Sequence, residues 1–214
     1  MNKRFYYQQN RNEMLKFIPA EYTRVLEIGC AEGEFISFLK NDSEKWGVEL
    51  NVESASRAKN KFNKLLIGDY FAVKDQLPDD YFDLIICNDI IEHFIDHDKF
   101  LASIKSKLRS RGFFVASLPN VRYYKNLYNL LIKKDWQYEE YGVLDSTHLR
   151  FFTIKSIRQT FEKHGFVLEM AAGVNKPKSV KTAILFALIN ILTLGYYSDI
   201  QFLQFGIRGT LFTD

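Results

Sequence analysis

Short apolar runs alternate along the chain with segments whose apolar residues recur at helical spacing. The apolar runs predict strands at residues 24–29, 45–50, 65–67, 81–87, 113–118, 166–170 and 202–211. The run at 81–87, YFDLIIC, is nearly continuous, as expected of a strand that is covered on both faces. This alternation predicts an α/β fold built on a mostly parallel sheet.

Helices are expected between these strands. Residues 35–39 place three apolar side chains on one helical face, and a polar helix is expected over 52–62. A third helix carries Phe100, Leu101, Ile104 and Leu108 and ends at Gly112. Thr153 is a suitable N-cap for a fourth helix, which Gly165 terminates.

Two segments interrupt the alternation, one at about 120–152 and one at about 175–201. We interpret residues 1–214 as a single domain with a substrate-side insertion and an apolar helical insertion. Insertions on a regular scaffold usually carry specificity.

Composition narrows the class of protein. The 214 residues are 47% hydrophobic, which suffices for a full core, and the net charge of +3 does not favour a nucleic-acid partner. Two cysteines cannot form a disulfide framework, and the first residues lack the apolar region of a signal peptide. A cytoplasmic location is expected. The oligomeric state stays open.

The second insertion contains 17 residues without charge, at 182–198. A membrane-spanning helix needs about 20 predominantly apolar residues. Three alternatives remain: a buried or half-buried helix, an interfacial helix on the inner face of the membrane, and a true span. Lys176, Lys178 and Lys181 just before the segment suit peripheral membrane contact through 176–200.

The segment VLEIGCAEGEF at 25–35 is the most informative stretch. A strand containing Glu27 runs into a turn with Gly29 and Gly33, and a helix is expected to follow. A dinucleotide fingerprint would need glycines where Ala31 and Glu34 stand, and a pyrophosphate would be repelled by the acidic residues. An acidic loop suits a cationic ligand better.

This loop resembles the first motif of class I S-adenosylmethionine-dependent methyltransferases, acidic-x-Gly-x-Gly-x-Gly, with Ala31 at the middle glycine. The resemblance implies a Rossmann-like seven-stranded sheet with helices on both faces and S-adenosyl-L-methionine as cofactor. It implies that Glu49 holds the ribose hydroxyls, an acceptor role that a carboxylate suits. The other implied cofactor residues are Glu27, Gly29, Cys30, Ala31, Gly33, Leu50, Gly68, Asp69, Tyr70, Asn88 and Asp89.

A leading helix covers the cofactor in similar enzymes. Tyr7 and Arg11 are therefore candidates for contacts to the methionine end. The alternative is that this helix face simply packs on the sheet.

Residues 88–94, NDIIEHF, resemble the segment after the fourth strand in ubiquinone-pathway O-methyltransferases. Asp89, Glu92 and His93 have side chains that suit a divalent ion. The Glu-His pair is common in such enzymes without a metal, so no metal is predicted. Instead, Glu92 and His93 are expected to cap the following helix and to shape the methionine pocket.

The first insertion contains eight aromatic residues among its 33. Tyr123, Tyr124 and Trp136, together with Arg150, are candidates for the acceptor pocket, because amphipathic rings pack on apolar faces and hydrogen-bond polar edges. Sugars and aromatic rings both match that description.

Residues 142–153 are similar to the signature Gly-x-Leu-Asp-x-Thr-His-x-Arg-Phe-Phe-Thr of a bacterial methyltransferase subgroup. Its members often belong to surface-polysaccharide or glycan pathways, which implies a sugar acceptor. His148 is the candidate catalytic base, with Asp145 orienting it. Alternatively, Asp145, His148 and Arg150 form a hydrogen-bonded brace.

Three functions are therefore considered. The first is O-methylation of a sugar or glycan intermediate in polysaccharide biosynthesis. The second is O-methylation of a small aromatic or quinone precursor. The third is a catalytically silent cofactor-binding scaffold at a membrane.

Overall fold

A computed structural model describes residues 11–212, and seven strands of this part form one sheet. The strands are β1 (Arg24–Ile28), β2 (Glu44–Glu49), β3 (Lys64–Ile67), β4 (Phe82–Asn88), β5 (Leu108–Pro119), β6 (Phe166–Val174) and β7 (Gln204–Leu211). Their order is β3-β2-β1-β4-β5-β7-β6. β1 to β5 pair in parallel, whereas β7 runs antiparallel between β5 and β6. The mostly parallel seven-stranded sheet is confirmed.

Six α-helices connect or flank the strands in the described chain. They are α1 (Val52–Ala58), α2 (Tyr70–Val73), α3 (His97–Lys107), α4 (Tyr124–Tyr128), α5 (Ile154–Lys163) and α6 (Val180–Leu192). The helix expected after β1 is only a short 3-10 helix, Phe35–Phe38. It ends there because Leu39 adopts an extended conformation. Thr153 caps α5 as predicted, in a reciprocal hydrogen-bonded box with Ser156.

The core lies on both faces of the sheet because successive strand residues point to opposite sides. In β4, Ile85 and Cys87 join a cluster that contains side chains of α3 and α5. Leu84 and Ile86 join a second cluster that contains residues of the 3-10 helices Asn12–Phe17 and Phe35–Phe38. Burial on both faces explains why the β4 sequence is almost continuously apolar.

The two insertions contact each other beside the sheet. The first contains α4 and a π-helical turn, Asn129–Lys133, and then an irregular segment. The second contains α6, whose Phe186 ring packs edge-on against Tyr124 at 5.2 Å between centroids. Phe186 is the one buried residue of α6, so a single ring anchors this helix. Within residues 11–212, helices fall short of the length and apolarity that crossing a membrane requires.

Asp83 holds together the end of the sheet opposite the strands' carboxyl ends. Its Oδ2 accepts hydrogen bonds from the Thr23 backbone and hydroxyl and from the Arg24 backbone, at 2.6–2.9 Å. Its Oδ1 accepts one from Arg109 at 2.6 Å. Burial alone would raise the pKa of Asp83, but these hydrogen bonds lower it.

We expect Asp83→Ala to destabilise the fold by about 1–3 kcal/mol, because four hydrogen-bond donors lose their shared acceptor at once. Urea unfolding followed by circular dichroism measures this. Asp75→Ala, which breaks only an exposed ion pair with Lys74, is the matched control and should leave the midpoint almost unchanged. Equal midpoints for the two variants would contradict the assigned role of Asp83.

Candidate active site

A cavity of about 900 Å³ opens at the carboxyl ends of β1, β2, β4 and β5. Its wall includes Glu27 and the loop after β1, Glu49 and Leu50 at the end of β2, residues 88–90 after β4, and Pro119 of β5. Parallel strands all present their carboxyl ends at one edge, which is where open α/β sheets bind ligands.

The loop after β1 has a backbone that most residues would strain. Gly29 and Gly33 have φ of 72° and 69°, and Ala31 lies in the left-handed region at 48°. A Cβ on Gly29 would meet the Ile90 side chain at 2.6 Å, so glycine is required there. Ala31 donates its backbone N–H to Glu49 Oε2 at 2.7 Å, which holds the left-handed residue in place.

Glu49 is buried and lines the cavity with both carboxylate oxygens engaged. Besides the bond from Ala31, its Oε1 accepts the Asn51 backbone N–H at 2.8 Å. Each oxygen retains a lone pair for a hydroxyl donor. Leu50 beside it is exposed and also lines the cavity, as an apolar surface for a ring would. This arrangement suits the predicted ribose and adenine contacts.

Glu27 and Asn88 carry buried polar atoms that the rest of the described chain does not satisfy. Glu27 Oε2 and both side-chain polar atoms of Asn88 have no hydrogen-bond partner there. Burial and the neighbouring Glu49 raise the pKa of Glu27 to about 8. Unpaired buried groups that line a cavity mark a place for a polar ligand. The loop, the acids and these orphaned atoms therefore fit S-adenosylmethionine, which carries a sulfonium and an ammonium group.

The residues after β3 are placed differently from one another. Gly68 has φ of 143°, and Asp69 is exposed and caps α2 by accepting the Phe71 backbone N–H. The Tyr70 ring is in the core against Phe100, with its hydroxyl 2.9 Å from Ser103. These three lie outside the cavity wall in the described chain, so Tyr70 contributes packing. Cys30 is buried and does line the cavity.

Asp89 forms the centre of a polar network at the cavity. Its carboxylate pairs with Arg11 and accepts hydrogen bonds from Ser117 and Gln204, each at 2.6 Å. Arg11 also lines the cavity, whereas Tyr7 lies outside the described residues. Gln204 belongs to the antiparallel strand β7, and its sequence context carries no signal for a site.

His148 is buried at the cavity, but Asp145 does not orient it. The His148 Nδ1–H donates to the Val143 carbonyl at 3.0 Å. Asp145 Oδ1 instead accepts the backbone and hydroxyl hydrogens of Thr147 at 2.8 and 2.6 Å. Asp145 thus closes a tight turn with these local donors. The catalytic role of His148 stays a prediction.

Glu92 and His93 face His148 across the cavity wall. Glu92 is fully buried, and Glu92 Oε1 lies 3.8 Å from His148 Nε2. The His93 and His148 rings meet edge to face at 4.8 Å. The expectation that Glu92 and His93 cap α3 is wrong, because Asp96 accepts the Lys99 backbone N–H there.

The predicted acceptor-pocket aromatics of the first insertion, Tyr123, Tyr124 and Trp136, are not among the residues that line the cavity in the described chain. Tyr123 contacts Tyr124, and Trp136 packs edge-on against Phe151 at 5.5 Å. Arg150 donates to the carbonyls of Leu149 and Ile95, in keeping with a brace. The part of this insertion that lines the cavity is 140–148. These rings are half-buried against other rings, Tyr124 against Phe186 of α6, and sequence spacing alone does not reveal such contacts.

A methyltransferase family accounts for this fold and cavity. The model of the Methyltransf_23 family, described as a methyltransferase domain, matches residues 2–170. The chain therefore belongs to this family and is an S-adenosylmethionine-dependent methyltransferase of class I fold. No curated protein sequence matches it at a significant level.

Solved structures share the fold at low identity. A SAM-dependent methyltransferase from Archaeoglobus fulgidus is 22% identical, with a TM-score of 0.65 over 98% of this chain and 94% of that one. A possible histamine N-methyltransferase from Thermotoga maritima is 19% identical, with a TM-score of 0.62 over 98% and 91%. The plantazolicin methyltransferase BamL, solved in complex with a triazolic desmethylPZN analog and SAH, is 17% identical, with a TM-score of 0.62 over 97% and 89%.

We expect Glu27→Gln to stabilise the ligand-free protein increasingly as pH rises from 5 to 8. The Glu27 carboxyl has a pKa of about 8 in the fold and an ordinary one when unfolded, so ionisation favours unfolding within that window. The stability difference between variant and parent should grow by at most about 1.4 kcal/mol per pH unit and level off above pH 8. Urea titrations at each pH measure it.

Glu53→Gln is the control, since Glu53 is exposed on α1. Its stability difference from the parent should stay flat from pH 5 to 8. A flat difference for Glu27→Gln as well would show that Glu27 ionises normally in the fold.

Proposed function

We propose that this methyltransferase methylates a hydroxyl of a sugar or glycan intermediate. The support is the polar character of the cavity wall that the first insertion contributes. Glu140, Ser146 and Thr147 are exposed residues that line it. A dense set of hydrogen-bonding groups matches an acceptor that carries several hydroxyls.

The aromatic acceptor is the weaker alternative on the same observation. Tyr123, Tyr124 and Trp136 pack elsewhere, which leaves Tyr141 as the aromatic contribution of the insertion to the cavity wall. The third alternative was a catalytically silent cofactor-binding scaffold. Membership of a methyltransferase family does not support it.

The cofactor supplies a methyl group on a positively charged sulfur, which is already a good leaving group. The chain has to align the acceptor, exclude water and deal with the hydroxyl proton. Glu92, His93 and His148 are the polar groups gathered in the cavity wall beside the insertion. We place the reacting hydroxyl of the acceptor at this cluster.

We expect methyl transfer to polyhydroxylated acceptors, such as nucleotide sugars and oligosaccharides, and at least tenfold slower transfer to catechols. Release of S-adenosylhomocysteine from a panel of both classes measures this. Thr147→Val removes a rim hydroxyl and should raise KM for the sugar, whereas Thr160→Val on α5, outside the cavity wall, should change neither KM nor kcat. Faster turnover on catechols would overturn the sugar assignment.

We also propose that the enzyme contacts an anionic membrane surface through α6. Val180, Ile184, Leu188 and Ile191 follow one side of the helix, and all are exposed. Leu130, Leu131 and Ile132 add exposed apolar surface on the segment after α4, which the Tyr124–Phe186 contact joins to α6. An apolar patch of this kind marks an interaction surface.

Charge favours a lipid surface as the occupant. Lys176 and Lys178 precede α6, and Lys181 lies in its first turn. All three are exposed, as are Lys133 and Lys134 beside the second apolar segment. Apolar side chains flanked by lysines match the boundary between acyl chains and anionic headgroups.

We expect the protein to sediment with vesicles that contain phosphatidylglycerol, less with pure phosphatidylcholine, and less again at high salt. Leu188→Asp should reduce binding at least fivefold. Phe38→Asp, at another exposed apolar side chain far along the sequence from α6, should have no effect. Equal binding by the parent and Leu188→Asp would exclude α6 as the contact.

A further inference from the structure

Glu92, His93 and His148 place three metal-ligating side chains together at the cavity. One carboxylate oxygen and one nitrogen from each ring all lie within 4.8 Å of one another. Two histidines and one carboxylate form a donor set that first-row divalent ions favour. The sequence suggested Asp89 as the third ligand beside Glu92 and His93. Asp89 is instead engaged with Arg11, Ser117 and Gln204. His148 supplies the third ligand atom.

The Glu92 carboxylate needs a partner that the described chain does not provide. It is fully buried, and both of its oxygens lack a hydrogen-bond partner among residues 11–212. Burying a carboxylate without a partner is strongly unfavourable, because the charge loses its hydration. The 3.8 Å from Glu92 Oε1 to His148 Nε2 is too long for a hydrogen bond. It is close to the separation of roughly 3.4 Å between two ligands that bind one tetrahedral ion at 2.1 Å.

Hydrogen bonds orient both imidazole rings so that Nε2 of each ring is available to bind a metal ion. His148 donates its Nδ1–H to the Val143 carbonyl at 3.0 Å, and His93 donates its Nδ1–H to the Thr147 carbonyl at 3.2 Å. Since a carbonyl can only accept, each ring carries its proton on Nδ1 and keeps a lone pair on Nε2. Backbone carbonyls commonly fix metal-binding histidines in this way.

The ligands come from two parts of the chain that are already joined. Glu92 and His93 lie in the turn Ile91–His93 after β4, and His148 lies in the first insertion. The Glu92 carbonyl accepts the backbone N–H groups of Leu149 and Arg150 at 2.9 and 3.1 Å. The three side chains therefore face one another before any ion binds, and an ion would fasten the insertion to the sheet.

We propose that Glu92, His93 and His148 bind one divalent transition-metal ion, of the Zn²⁺, Co²⁺ or Mn²⁺ class, in the wall of the cavity. His148 and His93 bind through Nε2, and Glu92 binds through its carboxylate. In this arrangement His148 is a metal ligand, and its Nε2 is not available as a proton acceptor. The acceptor hydroxyl would lie beside this cluster, a position that rests on the proposed function.

The test uses full-length, tag-free protein that has been treated with a chelator and then dialysed. Calorimetry with Zn²⁺ and with Co²⁺ should show one equivalent bound. Glu92→Gln and His148→Ala should each weaken binding at least tenfold, whereas His97→Ala should bind as the parent does. His97 is the matched control because it lies on α3 outside the cavity wall. Bound Co²⁺ should show visible ligand-field bands that are lost in His93→Ala.

Folding and cofactor binding are checked separately. The Glu92, His93 and His148 variants should retain the parent circular dichroism spectrum and should still bind S-adenosylhomocysteine, since neither observation needs the metal. Absence of stoichiometric Zn²⁺ and Co²⁺ binding by the parent would overturn the proposal, as would unchanged binding by folded His148→Ala. Full methyl transfer to a sugar by a folded, metal-free enzyme would contradict the placement of the acceptor at the ion. Metal binding together with transfer only to catechols would instead overturn the proposed acceptor.

Discussion

Four carboxyl groups, at or just after the ends of β1, β2 and β4, converge on one cavity because parallel strands end at the same edge of the sheet. Each has to be neutralised or paired there, since low dielectric and burial penalise isolated charge. Asp89 is paired with Arg11 and hydrogen-bonded, and Glu49 accepts two backbone N–H groups. Glu27 takes a raised pKa of about 8. Glu92 has no partner from the described chain.

This electrostatic constraint links the cofactor half of the cavity to the acceptor half. Glu27 of β1 and Glu49 of β2 lie on the side of the cavity that suits a cationic cofactor. Glu92 lies on the other side, next to His148 of the first insertion. The two halves meet at Asp89, whose network reaches the antiparallel strand β7 through Gln204. The site therefore depends on the whole sheet, including the strand that runs against the others.

Much of the fold could be predicted from sequence because its signals are local. The apolar run of β4, the Thr153 cap and the glycines around Ala31 report on strand, helix and turn through neighbouring residues alone. The aromatic insertion shows the limit of such reasoning. Tyr124 and Trp136 have the composition of a pocket wall, but each packs on a ring elsewhere, and composition does not specify which surface a ring covers.

By itself, the sequence determined the order of strands and helices, the acidic cofactor loop and the family to which the chain belongs. Only the tertiary structure decided which polar groups meet. It paired Asp89 with Gln204, 115 positions apart in the sequence, and turned His148 towards Glu92, 56 positions apart. The physical reason is that burial and hydrogen-bond satisfaction depend on every group packed around a side chain, and those neighbours come from distant parts of the chain.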